Sequence, residues 1–172
     1  RSVFATQPDV DELFLSPALF SFDGHAGPVY SVACSPLHRN IFASASTDGT
    51  VRVFHMLQAA PLLVLEAPPR GTPLFACAWS SARPAVLAVG SSDGNLHVYD
   101  LQRSVSRPAA SLKVTADGSA VYAVSFSPKE GGLVATADAQ GVCRVWRLSH
   151  ELGVFQPRES SFLDELSPSA VD

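Results

Sequence analysis

An incomplete β-propeller, an all-β arc of three four-stranded blades with one orphan strand before them, is the fold this sequence predicts. Two observations carry that reading. The run Val29-Tyr30-Ser31-Val32-Ala33-Cys34-Ser35-Pro36 returns as Leu74–Ser80 and again as Val121–Pro128, at offsets of 45 and then 47 residues. A second run, Thr47-Asp48-Gly49-Thr50-Val51-Arg52-Val53-Phe54, returns at the same offsets as Ser92–Tyr99 and Ala139–Trp146. Two separate blocks that keep one spacing mark a structural repeat, and a period near 45 residues made of short strands is that of propeller blades.

The elements follow in order within each unit. The first strand is the apolar run just quoted, and Ser35-Pro36 and Ser127-Pro128 end it, because proline cannot donate to a ladder. Small apolar stretches give the second strand at Ile41–Ser46, Val86–Ser91 and Leu133–Ala137, and the third falls at Val51–Phe54, Leu96–Tyr99 and Cys143–Trp146. Between second and third, Asp48-Gly49, Asp93-Gly94 and Gln140-Gly141 supply the glycine that a tight turn with positive φ demands. A fourth strand is predicted at Leu62–Leu65 and Ala110–Val114. The units therefore lie near 23–66, 71–114 and 118–156, within a propeller region of 18–156. Residues 1–17 read as a linker into an orphan strand, Ala18–Phe22. Residues 157–172 form an acidic tail expected to lack fixed structure; a single helical turn capped by Ser161, with Phe162, Leu163 and Leu166 on its apolar side, is the competing reading.

Composition narrows the function. Of 172 residues 47% are hydrophobic and 16% charged, and 12 basic against 16 acidic residues leave a net charge of −4. The acidity sits at the ends, and no basic cluster recommends nucleic acid or an anionic membrane as partner. The longest apolar stretch, Ala59–Leu65, contains Pro61 and is far below the ~20 residues of a membrane span. The chain starts at Arg1 without the pattern of a signal peptide, so a fragment or processed product, soluble and in a reducing compartment, is expected. Three cysteines, Cys34, Cys77 and Cys143, make neither a disulfide framework nor a zinc site, and the repeat assigns all three to apolar core positions. His25, His38, His55, His97 and His150 lack metal-binding spacing, and no nucleophile elbow or phosphate loop is present. No metal, cofactor or catalytic residue is predicted, and an enzyme would need a converging set of titratable groups that the sequence does not offer.

With these residues in view, the chain resembles the WD-repeat family. Gly24-His25 stands before the first strand of the first unit, and Phe54-His55, Tyr99-Asp100 and Trp146-Arg147 take the place of the family's Trp-Asp pair. The resemblance makes Gly24, His25, Asp48, Gly49, Phe54, Asp93, Gly94, Tyr99, Gly141 and Trp146 the blade signature. It implies a buried His–Ser/Thr–Asp–Trp hydrogen-bond network, which is incomplete in every unit here. It also implies that Tyr30, Phe75 and Tyr122, aromatic in all three units, and Thr47 and Ser92 before the turn open onto the face beside the central channel, where partners dock. Packing of those aromatics between blades is the alternative. Three units do not reach the 4–8 blades of closed rings, so the missing blades are expected upstream in a longer parent, with an unusually small ring as the other arrangement.

The strings Ser35–Phe42, Thr47–Val53 and Asp138–Trp146 are similar to the C-terminal blades of dynein intermediate chains, those of dynein-2 in particular. That similarity implies a non-catalytic subunit of a heteromeric complex. Its propeller would hold the dynein-2 heavy chain for retrograde intraflagellar transport, while a separate N-terminal region engages other dynein-2 subunits. Cytoplasm, cytoskeleton, cilium and the ciliary base or centrosome are the implied locations. A general WD-repeat scaffold in another complex is the alternative function.

Overall fold

The computed structural model describes residues 21–156 and 159–166. Three antiparallel sheets account for most of them. Blade I contains β1 (Val29–Cys34), β2 (Ile41–Ser46), β3 (Thr50–His55) and β4 (Leu63–Glu66). Blade II contains β5 (Leu74–Trp79), β6 (Val86–Ser91), β7 (Asn95–Asp100) and β8 (Ala110–Lys113). Blade III contains β9 (Val121–Phe126), β10 (Leu133–Asp138) and β11 (Cys143–Arg147). Strands follow one another in chain order within each sheet. Among the described residues the third sheet has three strands rather than the four expected, because the chain leaves β11 through Leu148 into α1 (His150–Gly153) instead of turning back alongside it. The orphan strand lies almost wholly outside the described residues, of which it contributes only Ser21 and Phe22.

The hairpin glycines behave as their sequence positions require, with φ of 82° at Gly49, 80° at Gly94 and 77° at Gly141. Strand alternation then gives every blade two unlike faces. One face, here termed trailing, carries a row of small residues across the sheet: Ala33, Ala43 and Val53 in blade I, and Ala78, Ala88 and Val98 in blade II. The opposite, leading face carries bulk: Trp79, Leu87 and Tyr99 in blade II, and Phe126, Val134 and Trp146 in blade III. Bulk on small is how the blades fit. Ala43, Val53, Trp79, Leu87 and Tyr99 belong to one buried cluster, and Ala88, Val98, Phe126 and Val134 with Trp146 to a second. Polar bonds cross both seams: Trp79 Nε1 donates to the Ala33 carbonyl at 3.0 Å, Tyr99 Oη to the Glu66 carbonyl at 2.9 Å, and Ser81 Oγ to the Ser127 carbonyl at 2.5 Å. At the second seam a Cβ on Gly90 would meet Val121 Cγ1 at 2.8 Å, so only glycine lets the two backbones approach this closely.

Two expectations are corrected by this arrangement. Cys77 is buried at the first seam, where burial, partly offset by the Ser31 hydroxyl, pushes its thiol up to about 11. Cys34 and Cys143 are exposed. Both hold repeat positions that are buried in blade II, those of Trp79 and Leu96, but among the described residues no blade covers the leading face of blade I or the trailing face of blade III. The repeat fixes which face a residue is on; a neighbour decides whether that face is dry.

The acidic tail also differs from expectation, since residues 159–166 form a helix, α2 (Glu159–Leu166). Leu163 is 1% exposed within the first-seam cluster, flanked by Phe162 and Leu166. Glu159, fully buried, meets the guanidinium of Arg83, which also donates to Asp100 Oδ2 at 3.0 Å and to the Glu151 carbonyl. An acidic segment finds order here because a buried cation and an apolar trough await it.

Replacing Trp79 by alanine removes the largest side chain at the first seam and one cross-seam hydrogen bond. A loss of about 3–5 kcal/mol is expected, read as a lowered midpoint in denaturant unfolding; a change below about 1 kcal/mol would deny the seam its role.

Candidate interaction face

The three aromatics at equivalent positions owe their orientation to a shared irregularity. The β1–β2 register slips between Val29 and Ser31, the β5–β6 register between Leu74 and Ala76, and the β9–β10 register where Asp138 pairs with Val121 instead of Tyr122. Tyr30, Phe75 and Tyr122 are thus the extra residues of three β-bulges, and a bulge re-aims the side chain it leaves unpaired. They come together. Ring centroids lie 5.0 Å apart for Tyr30 and Phe75, and 5.1 Å for Phe75 and Tyr122, so one aromatic ladder runs across the inner ends of all three blades. Tyr30 is 60% exposed and Tyr122 55%, with Phe75 half-buried between them.

The turn residues stand at the same end. Thr47 N donates to the Pro28 carbonyl at 3.1 Å, Ser92 N to Pro73 at 2.9 Å and Ala139 N to Ala120 at 2.9 Å, which ties each turn to the segment just before a ladder aromatic. Thr47 and Ser92 are half-buried beside the ladder rather than projecting from it.

Beneath this face each blade secures its turn differently. In blade I, His25 Nδ1 lies 2.9 Å from Asp48 Oδ2 and Nε2 lies 2.7 Å from Ser44 Oγ, while Thr50 Oγ1 donates to Asp48 Oδ1 at 2.7 Å. Burial opposes ionisation of Asp48, but the Thr50 hydroxyl and N–H, His25 and the Ala26 N–H together outweigh it and hold the carboxyl at about 2. Phe54 donates nothing to this network and instead stacks on Phe42 at 5.2 Å, with Phe22 edge-on to both. Gly24 carries the Arg52 guanidinium on its carbonyl at 2.9 Å.

Blade II has no histidine ahead of its first strand. His97, on β7, replaces it: Nε2 lies 3.4 Å from Ser91 Oγ and Nδ1 2.9 Å from Ser111 Oγ, and Asp93 accepts from Ser91 and from Asn95. Burial lowers the His97 pKa against the opposing pull of Asp93. In blade III, Trp146 Nε1 donates to Thr136 Oγ1 at 3.0 Å, and Asp138 receives Arg144 together with the Gln140 and Val142 N–H groups. The Arg144 hydrogen bond leads the groups that keep the Asp138 carboxyl below its ordinary value. Neither His97 nor Asp138 occupies the family position, so the repeat does not mark them for these roles.

Among the described residues no group of three or more His, Cys, Asp or Glu is placed to hold a metal, and no helix is long and apolar enough to cross a membrane. The cleft beside Arg83, Asp100, Arg103 and Glu151 has its charges engaged with one another.

Antiparallel sheets of three or four strands with glycine hairpin turns, packed face to face with large aromatics in the seams, are the blades of a WD-repeat propeller. Consistently, the family described as WD domain, G-beta repeat matches residues 17–55 and 108–147, which hold β1–β3 and β8–β11. The chain is 46% identical over 151 residues to cytoplasmic dynein 2 intermediate chain 2 of Mus musculus, and 46% identical over 152 residues to that of Homo sapiens, in each case 88% of this chain and 28% of the relative. Similarity to human cytoplasmic dynein 2 intermediate chain 1 is 27% over 70% of this chain and 12% of the relative. The chain thus spans little more than a quarter of the length of the first two relatives.

Because the Asp48 carboxyl sits at about 2 in the folded chain and near 3.8 when unfolded, the stability it adds is complete above pH 3.8 and is lost as pH falls from there through about 2. Allowing for solvent screening at the turn, that loss is about 1–2 kcal/mol. Urea unfolding at pH 5 and pH 2.5 should show it in the native sequence and not in Asp48→Asn.

Proposed function

We propose that this chain is the propeller portion of a dynein-2 intermediate chain, a non-catalytic subunit that docks the dynein-2 heavy chain for retrograde intraflagellar transport and cilium assembly. The ladder of Tyr30, Phe75 and Tyr122 is the contact surface, with Thr47 and Ser92 at its edge. Two independent lines support the reading. Identity of 46% runs through all three blades rather than through one motif. The ladder, moreover, recurs in every blade, and two of its rings, Tyr30 and Tyr122, are more than half exposed on their bulges.

Aromatic side chains suit such a surface, since they bury large area at small entropic cost. The rigid arc holds three of them in line, so a partner segment meets a preformed ridge. Chemistry has no part in this mechanism. The cytoplasm and cytoskeleton, and the cilium with its base, are where such a subunit would act, within a heteromeric motor that holds other dynein-2 subunits as well.

Tyr30→Ala and Tyr122→Ala are expected to weaken binding to a dynein-2 heavy-chain tail by about thirtyfold or more, the effect of losing a central anchor. Circular dichroism and melting should stay unchanged in both. Undiminished binding in the double variant would refute the ladder as the contact, and loss of fold in both would make these aromatics core.

A further inference from the structure

The connection between β7 and β8, residues 101–109, is the longest turn within any described blade. Its backbone hydrogen bonds lie at its two ends. Arg103 N and Ser104 N donate to the Asp100 carbonyl and Ala109 N to that of Val98, while residues 105–108 make no backbone-to-backbone bond among the described residues. Val105, Ser106 and Arg107 are exposed. Ser106 is tied only locally: its N–H donates to Ser104 Oγ at 3.3 Å, and the two hydroxyls lie 3.3 Å apart. Such a segment can be drawn out and read by another protein without disturbing the sheets.

The segment carries a charge pattern. Of all the serines in the sequence, only Ser106 and Ser161 stand three places after an arginine, Arg103 and Arg158 respectively. Ser161 lies within α2, where the backbone is committed to a helix. Ser106 lies in the loop, with a second arginine, Arg107, directly after it. A guanidinium at that distance from a hydroxyl is what an arginine-directed kinase reads, since the carboxylates of its substrate cleft take the planar fork of arginine on an extended segment.

The structure also holds a place for the product. Ser106 and Arg107 share a cleft of about 150 Å³ with Glu66, at the end of β4, and Arg70, on the connection that follows. The cleft lies at the seam between blades I and II, beside the bond from Tyr99 Oη to the Glu66 carbonyl. Arg107 is exposed, with no carboxylate paired to it among the described residues. Arg70 Nε meets Glu66 Oε2 at 2.8 Å, in a pair whose side chains are 89% and 46% exposed. Exposed pairs of this kind hold weakly. Two guanidinium groups against one carboxylate leave the cleft positive, and a phosphoserine, with a charge of about −1.5 to −2 and three acceptor oxygens, competes with Glu66 for Arg70.

We propose that Ser106 is a phosphorylation site for an arginine-directed kinase, and that its phosphate clips blade II to blade I through Arg70, with Arg107 beside it. In the transfer the Ser106 hydroxyl oxygen forms a bond to the γ-phosphorus of ATP, the bond from that phosphorus to ADP breaks, and the hydroxyl proton passes to the kinase's base and on to solvent. Both halves of the clip belong to blades already joined at this seam, so it calls for no further blade.

The whole chain, incubated with ATP and the catalytic subunit of cyclic-AMP-dependent protein kinase, should gain phosphate at Ser106, located by peptide mass spectrometry. Ser106→Ala should abolish that incorporation. Arg103→Ala, at a side chain 73% exposed, should slow it about tenfold or more while circular dichroism stays unchanged. Phosphorus NMR of the modified chain reads the clip: the second ionisation of the phosphate should fall below its ordinary value of about 6, because neighbouring guanidinium groups favour the dianion, and Arg70→Ala should raise it again. No phosphate at Ser106, or incorporation indifferent to Arg103→Ala, overturns the site. A phosphate ionisation that Arg70→Ala leaves unmoved overturns the clip.

Discussion

The structure rests on one interaction used twice: a bulky leading face set on a small-residue trailing face. An alanine, an alanine and a valine in line across a sheet make a shallow trough, and a tryptophan or phenylalanine with its neighbours fills it. Large side chains buried this way contribute roughly 1.5–3 kcal/mol each. Blade II, covered on both sides, is the anchor, and its β6 is buried at every residue. Blades I and III each depend on it through one seam.

That dependence explains how three degenerate repeats coexist. The family's internal network is intact in none of them, yet each closes its turn by other means: His25 with Asp48 and Ser44 in blade I, His97 with Ser91 in blade II, Arg144 with Asp138 in blade III. Such hydrogen bonds fix local geometry and contribute modestly to stability. The seams hold the blades in place, and so the turn chemistry has been free to vary. The C-terminal helix adds a further tie, with Leu163 in the first seam and Glu159 on Arg83, at the end of the sheets away from the aromatic ladder.

Much of this was legible in the residues. The repeat and its turn signals placed all eleven described strands to within two residues, because the hairpin glycines and the Ser-Pro breaks are local signals. Tyr30, Phe75 and Tyr122 stood out as a recurring aromatic, but whether they pointed outward depended on bulges, which a sequence pattern does not mark. Cys34 and Cys143 were misjudged because burial depends on a neighbouring blade. The order of Glu159–Leu166 was hidden for a like reason: its partner Arg83 lies 76 residues away, and only tertiary contact brings them together.

If the seams carry the fold, the arc unfolds as one body. Nature has placed a reporter at each: of the two tryptophans, Trp79 lies in the seam between blades I and II and Trp146 in the seam between blades II and III. Fluorescence-monitored denaturant unfolding of Trp79→Phe and Trp146→Phe, each with the remaining tryptophan as probe and compared with circular dichroism of the same variant, is the most direct test. Fluorescence and circular dichroism should give one coincident transition in each variant. A seam that opens at a lower denaturant concentration than the loss of strand signal would show blades that stand by themselves, and would contradict the account.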